Sequence, residues 1–77
     1  MRKPTATGSY VLCVRNDGYP ASLRVRRLYR RVPDRNAAVR GLLRVVDESG
    51  EDYLYPEKFF VPIALSRPVA RAIRAAA

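Results

Sequence analysis

The chain has 77 residues, a formal net charge of +8, a single cysteine and no histidine. This length fits one small domain, and such a domain has no room for a deep internal pocket. A lone cysteine excludes an intrachain disulfide and a cysteine-based metal cage, and the lack of histidine removes the commonest general base and metal ligand. We therefore expect a non-catalytic protein with no cofactor and no metal site.

The first nine residues are polar and predict a flexible tail over residues 1–9, ahead of a single domain over residues 10–77. No apolar run approaches the ~20 residues that cross a bilayer, and no signal-peptide core follows Met1. These features favour a cytoplasmic protein without membrane contact.

β-Branched and aromatic residues predict a first strand over residues 10–15, in which Cys13 is a small buried apolar residue. A loop follows at residues 16–20, where Asn, Asp and Gly tolerate turn geometry. A second, longer strand is predicted over residues 23–32. Its apolar pattern changes phase at Arg26, so we expect a β-bulge near that residue.

Asp34 is expected to cap a short helix over residues 35–40 that ends at Gly41. Residues 42–55 predict a β-hairpin whose polar corner contains Gly50, a residue that takes a positive φ without strain. A single 3₁₀ turn is expected over residues 56–59.

A last strand is predicted over residues 60–65, and Pro62 within it indicates an edge position. Ser66 then caps a C-terminal helix that ends at about Ala76. Taken together, these elements predict a mainly β fold: a small five-stranded barrel with a short helical connection and a C-terminal helix.

The order of these elements resembles a small SH3-like barrel over residues 42–63. SH3 domains have two bulky residues at the start of the third strand, a polar hairpin with Gly, and then Pro, two variable residues, an aromatic residue and Val. The matching residues here are Leu42-Leu43, Glu48-Ser49-Gly50, Pro56 to Phe59 and Val61, with Phe60 as one extra residue. The chain is also similar to small uncharacterised bacterial proteins with the pattern L-x-R-V-x-D-E-S-G-E-D-Y-L-Y-P-x-x-x-F.

The chain departs from the SH3 domains that bind proline-rich peptides. It has no tryptophan, and Leu42 stands where those domains begin the third strand with one. Phe59 matches their groove tyrosine but has no hydroxyl group for a peptide carbonyl. These departures weigh against proline-rich ligands, and an SH3-like fold alone does not define an activity.

Aromatic residues indicate one candidate site. It would bind an unknown protein or peptide partner, and we expect the protein to be a monomeric binding module. Tyr53 and Tyr55 lie two apart on one strand and therefore share a face. With Tyr29, Tyr19 or Phe59 they would line a shallow groove for an extended peptide or a stacked base. The predicted peptide-binding residues are Tyr29, Tyr53, Tyr55, Pro56 and Phe59. The alternative is that these rings only cover a small barrel.

Arginines indicate a different candidate, a nucleic-acid site on the second strand. Eight arginines lie within residues 24–44 beside one acid, Asp34, whereas five of the seven acids lie within residues 47–57. Positive regions of this kind attract RNA or DNA phosphates. The predicted residues are Arg24, Arg26, Arg27, Arg30, Arg31 and Arg44. The alternative is a solvated surface with the arginine excess of a GC-rich genome, on which some arginines pair with the acidic hairpin.

The acidic corner of the hairpin gives little indication of a metal site. Its four acids, Asp47, Glu48, Glu51 and Asp52, lack the spacing of a calcium-binding loop. We expect them to be solvent-exposed residues.

Overall fold

The computed structural model describes residues 10–76, without the side chains of residues 74 and 76. The predicted N-terminal tail, residues 1–9, lies outside the described residues. The described elements, in chain order, are β1 Tyr10–Cys13, β2 Leu28–Val32, α1 Arg35–Val39, β3 Leu42–Val46, β4 Asp52–Pro56, a 3₁₀ turn Glu57–Phe59, β5 Phe60–Ile63 and α2 Arg67–Ala76.

The five strands form one antiparallel sheet in the order β4-β3-β2-β1-β5, which confirms the mainly β class. Strands β4 and β5 are its edges and do not pair with each other, so the structure shows an open sheet where the sequence predicted a barrel. Pro56 and Pro62 stand on these two edge strands. Because proline has no N–H, both residues reduce the hydrogen bonds available for closing the sheet.

The ends of the helices and the turn of the β3–β4 hairpin follow local sequence signals. The Asp34 side chain accepts a hydrogen bond from the Ala37 N–H at 3.0 Å, which confirms it as the cap of α1. Gly41 ends that helix at φ +72°, and Gly50 turns the β3–β4 hairpin at φ +87°. The Ser66 hydroxyl accepts the Val69 N–H at 3.4 Å and its carbonyl accepts the Ala70 N–H at 2.9 Å, which makes Ser66 the cap of α2. The predicted caps, corner and 3₁₀ turn are therefore confirmed.

Three strands are shorter than predicted. The first ends at Cys13 instead of residue 15, and the last ends at Ile63 instead of residue 65. The second begins at Leu28 instead of residue 23, because residues 25–26 form a turn in which Arg26 has a positive φ; a further tight turn at residues 19–22, with the Leu23 N–H donating to the Tyr19 carbonyl at 3.0 Å, precedes it. Residues 14–27 are consequently a long loop, here called the β1–β2 loop.

The predicted bulge is present at the end of this loop. Arg26 and Arg27 together oppose Cys13: the Arg26 N–H donates to the Cys13 carbonyl at 2.7 Å, and the Cys13 N–H donates to the Arg27 carbonyl at 2.9 Å. Arg26 has φ +72°, a conformation that L-residues other than Asn and Asp rarely adopt. Two residues against one, with the first of them left-handed, is the G1 type of bulge, in which glycine normally occupies that place.

Replacing Arg26 by glycine should raise the free energy of unfolding by about 1 kcal/mol, because the left-handed backbone costs an L-residue roughly 1–2 kcal/mol and glycine's extra freedom in the unfolded chain offsets part of the gain. Denaturant unfolding of the variant measures the change. Arg26→Ala is the matched control, since it removes the guanidinium and keeps the strained backbone. If Arg26→Gly were no more stable than Arg26→Ala, the backbone at residue 26 would not be strained.

The core cluster takes side chains from all five strands, from the 3₁₀ turn and from the β1–β2 loop. Cys13, Leu23 and Val45 are its fully buried side chains. Burial raises the pKa of the Cys13 thiol, in keeping with its predicted role as a small apolar core residue.

Candidate functional site

A hydrogen-bonded network holds the β1–β2 loop against the β3–β4 turn. The Glu48 N–H donates to the Ser22 carbonyl at 3.0 Å. The Tyr29 hydroxyl donates to the Glu48 carboxylate at 2.5 Å and accepts the Arg24 N–H at 2.7 Å. These bonds join two segments that are far apart in sequence, so they fix the width of the space between them.

Asp47 is the second anchor of the turn, and it is only 6% exposed. Its carboxylate accepts the Tyr55 hydroxyl at 2.5 Å, the Ser49 N–H at 2.9 Å and the Ser49 hydroxyl at 2.6 Å. Burial alone would raise the pKa of Asp47, but the hydrogen bonds from Ser49 and Tyr55 together outweigh it and lower that pKa. Asp47 is thus a buried, ionised hydrogen-bond acceptor, where the sequence predicted an exposed acid.

Burial, reinforced by the carboxylate that each hydroxyl faces, raises the pKa of Tyr29 and of Tyr55 to about 12. Because the folded state favours the neutral phenols, they should stabilise it fully below about pH 10 and progressively less up to pH 12. Circular dichroism across pH 9–12 should show unfolding in this window. Tyr29→Phe cannot ionise at that position, so it should retain more of its neutral-pH stability at pH 11. An equal loss of stability at pH 11 in the wild type and in Tyr29→Phe would contradict a contribution from the ionisation of Tyr29.

An open groove of about 410 Å³ lies between the β1–β2 loop and strand β4. Tyr19 on the loop side is 42% exposed, and Tyr53 on the strand side is 51% exposed. The ring of Tyr55 forms the floor and meets the Tyr19 ring edge-to-face, with 4.9 Å between centroids. Glu51 also lines the groove and accepts the Tyr53 hydroxyl at 3.2 Å. We call this space the tyrosine groove.

The structure divides the five predicted peptide-binding residues. Tyr29, Tyr55 and Phe59 are buried members of the core, Pro56 is half-buried, and Tyr53 is exposed. They do not form one open aromatic face, because a domain this small needs its large rings to fill the core. Tyr53 and Tyr55 do line one groove, and Tyr55 contributes its ring from below.

Tyr19 and Asp47 have larger roles than the sequence indicated. Tyr19 follows Gly18 in a loop, and its position over Tyr55 depends on the tight turn at residues 19–22. Asp47 carries no sequence signal that separates it from the exposed acids beside it. The Tyr55 hydroxyl reaches Asp47 only because β3 pairs with β4 in the register that places Tyr55 opposite Leu43.

The structure also divides the six predicted nucleic-acid residues. Arg44 pairs with Asp34 at 2.9 Å and with Asp52 at 3.3 Å, and Arg27 pairs with Glu48 at 3.1 Å. Arg31 is half-buried. The remaining three, Arg24, Arg26 and Arg30, are exposed.

Within residues 10–76, no three acidic, histidine or cysteine side chains come together as a metal site would require. No helix in the same part of the chain is long and apolar enough to span a membrane. Comparisons with protein-family models, curated proteins and solved structures returned no match. The resemblance to SH3-like domains and to small bacterial proteins therefore stays a prediction.

Proposed function

We propose that this protein is a non-catalytic binding module that recognises a protein or peptide partner through the tyrosine groove, as a monomer in the cytoplasm. The observation that carries the proposal is the groove itself: about 410 Å³ of open space with an exposed tyrosine on each side. Tyrosine rings offer large contact areas at a low cost in conformational entropy, and their hydroxyls bond to polar groups.

An SH3-like architecture is part of the proposal. The chain has five short antiparallel strands, a β3–β4 hairpin turned by Gly50, and a 3₁₀ turn after Pro56 that leads into the last strand. This is the order of elements on which the resemblance rests. A long β1–β2 loop beside the hairpin forms a groove without needing a deep pocket, which suits a domain of this size.

The rigid floor of the groove supports binding. Tyr55 is fixed by Asp47, and the loop that carries Tyr19 is fixed by the Ser22–Glu48 hydrogen bond. A partner that inserts a side chain between Tyr19 and Tyr53 would immobilise few additional groups of this protein. Little of the contact energy is then spent on ordering the protein.

Selection of phage-displayed random dodecapeptides on the whole chain tests the proposal. Selected peptides should bind, and Tyr53→Ala should lower their affinity at least fivefold, because an exposed ring that contacts ligand is removed. The melting temperature should stay within about 2 °C of wild type, since a half-exposed side chain contributes little to the core.

Val39→Ala is the matched control, because Val39 is 83% exposed on α1 and does not line the groove. It should leave peptide affinity unchanged. The proposal fails if no peptide is selected, or if Tyr19→Ala and Tyr53→Ala both bind selected peptides as the wild type does.

Nucleic-acid binding is a second candidate, favoured by the exposure of Arg24, Arg26 and Arg30. Guanidinium groups bind phosphate through paired donors. If these three arginines each neutralise a phosphate, affinity for labelled RNA or DNA should fall about 20- to 40-fold between 50 and 200 mM salt. The triple variant Arg24→Gln, Arg26→Gln, Arg30→Gln should abolish this dependence. No binding at 50 mM salt would remove this candidate.

A further inference from the structure

Hydrogen bonds at both ends of the β3–β4 hairpin determine which backbone groups of β4 face outward. At the turn the Asp47 N–H donates to the Glu51 carbonyl at 3.0 Å, and at the far end the Glu57 N–H donates to the Gly41 carbonyl at 2.9 Å. Opposed residues in antiparallel strands alternate between bonded and non-bonded pairs. The odd-numbered residues of this hairpin therefore bond to each other. The even-numbered residues between them direct their C=O groups and, except for Pro56, their N–H groups away from the partner strand.

Strand β4 consequently presents an open edge. Its register pairs Arg44 with Leu54 and Val46 with Asp52, both of which are non-bonded pairs. The N–H and C=O groups of Asp52 and Leu54 point outward, and no other described residue hydrogen-bonds to them. An edge of this kind is a template for a further strand.

The opposite edge is blocked. The Val14 N–H donates to the Phe59 carbonyl at 2.8 Å, and by the same alternation the pair Val11–Pro62 is non-bonded. Pro62 therefore stands where an outward N–H would be, which is a common protection of edge strands. On β4, Pro56 stands at a comparable outward position but only at the last residue of the strand, so the outward groups of Asp52 and Leu54 stay available beside the tyrosine groove.

Charge along the open edge is negative. Residues 47–57 contain five carboxylates and no lysine or arginine. Asp52 and Glu48 are paired with arginines, whereas Glu51 lines the groove and is exposed. The rest of the molecule is basic, but charges beyond about 8 Å are largely screened at physiological ionic strength. A ligand in contact with β4 therefore meets a locally acidic surface.

We propose that the partner binds as an extended, basic peptide segment that adds a strand to the edge of β4, with one lysine or arginine side chain in the tyrosine groove. This rests on the proposed function and names its ligand class. Main-chain hydrogen bonds to Asp52 and Leu54 supply affinity, and the groove supplies specificity. Tyr19 and Tyr53 contact the cation through their ring faces, and Glu51 is its counter-charge.

A second copy of this chain is a poorer occupant of the same edge. Pairing β4 with β4 would bring together two segments that each carry five carboxylates. Like charges on adjacent strands destabilise pairing. The negative edge therefore favours a basic partner over self-association.

Hydrogen exchange on the whole, unmodified chain is the first test, with the phage-selected dodecapeptides as probes. In the free protein the Leu54 amide should exchange rapidly and the Tyr53 amide slowly, because only Tyr53 is bonded to β3. Saturating peptide should slow exchange at Leu54 at least tenfold. Unchanged exchange at Leu54 with a peptide that needs Tyr53 would overturn strand addition and leave the proposed function standing.

N-methylation of the peptide is the second test and leaves the protein untouched. Only alternate amides of an added strand face β4. Methylating that set should weaken binding at least tenfold, and methylating the other set should leave it within about twofold. Equal losses from both sets would overturn strand addition. The Glu51→Gln variant should bind the selected peptides two- to fivefold more weakly than wild type. An unchanged affinity of this variant, or selected peptides that contain no lysine or arginine, would overturn the basic ligand class.

Self-association is distinguished in the same samples. If the Leu54 amide were already protected in the free protein, and sedimentation showed a dimer that dissociates on dilution, the edge would belong to a second copy and the proposal would be false. If no peptide were selected at all, the proposed function would fail together with this inference.

Discussion

Replacing Leu23 by alanine should lower the free energy of unfolding by about 2–5 kcal/mol. Leu23 is 0% exposed although it lies in the β1–β2 loop, and it joins the same core cluster as Val45 and Tyr29. Its truncation removes buried apolar surface and leaves a cavity beneath the loop. For a domain of this size, whose total stability is about 4–12 kcal/mol, that loss is a large fraction of the whole.

The same substitution should also loosen the groove. The Leu23 backbone carbonyl accepts the Asn16 side-chain N–H at 3.0 Å, and the buried Leu23 side chain holds that carbonyl in place. Alanine keeps the carbonyl but loses this anchor. Amides at residues 16–22 should exchange faster in the variant than global destabilisation explains. Denaturant unfolding and hydrogen exchange measure the two effects separately.

Val25→Ala is the control for Leu23→Ala, since Val25 lies in the same loop with its side chain exposed. It should change stability by less than about 0.5 kcal/mol. If both alanine variants were equally stable, the burial of Leu23 would not be what holds the loop.

Leu23 also shows where sequence reasoning succeeds and where it stops. Local signals were sufficient for the Asp34 cap, the turn at Gly50 and the bulge at Arg26, because each depends on a few adjacent residues. Apolar periodicity placed Leu23 in a strand over residues 23–32, because a single buried residue in a loop and one in a strand carry the same local pattern.

The candidate site was less predictable, because it depends on contacts between distant segments. The spacing of Tyr53 and Tyr55 indicated a shared face, and both line the tyrosine groove. The burial of Tyr29 and Phe59 depends on which strands pair and on how far the β1–β2 loop reaches across the core. Nothing in the local sequence around Asp47 separates a buried acceptor from an exposed acid.

Asp47→Ala should lower the free energy of unfolding by about 2–4 kcal/mol at pH 7, because it leaves buried donors without their charged acceptor. Tyr55→Phe should cost about 1–2 kcal/mol, since it removes one of those donors and keeps the ring. A double-mutant cycle should then show a coupling of about 0.5–3 kcal/mol between the two side chains, because each single change already breaks the bond they share.

The Asp47 contribution should also depend on pH. The hydrogen bonds from Ser49 and Tyr55 lower the pKa of folded Asp47 below the unfolded value of about 3.9. The ionised carboxylate therefore stabilises the fold fully above that value, and the contribution is lost as pH falls through the lower folded pKa. The stability difference between wild type and Asp47→Ala should shrink between pH 5 and pH 2, as measured by urea unfolding. Glu51→Ala, at an exposed acid of the same turn, should stay within about 0.5 kcal/mol of wild type at pH 7. If the Asp47 difference persisted undiminished at pH 2, the ionised carboxylate would not be what holds the turn, and the floor of the groove would be held by packing alone.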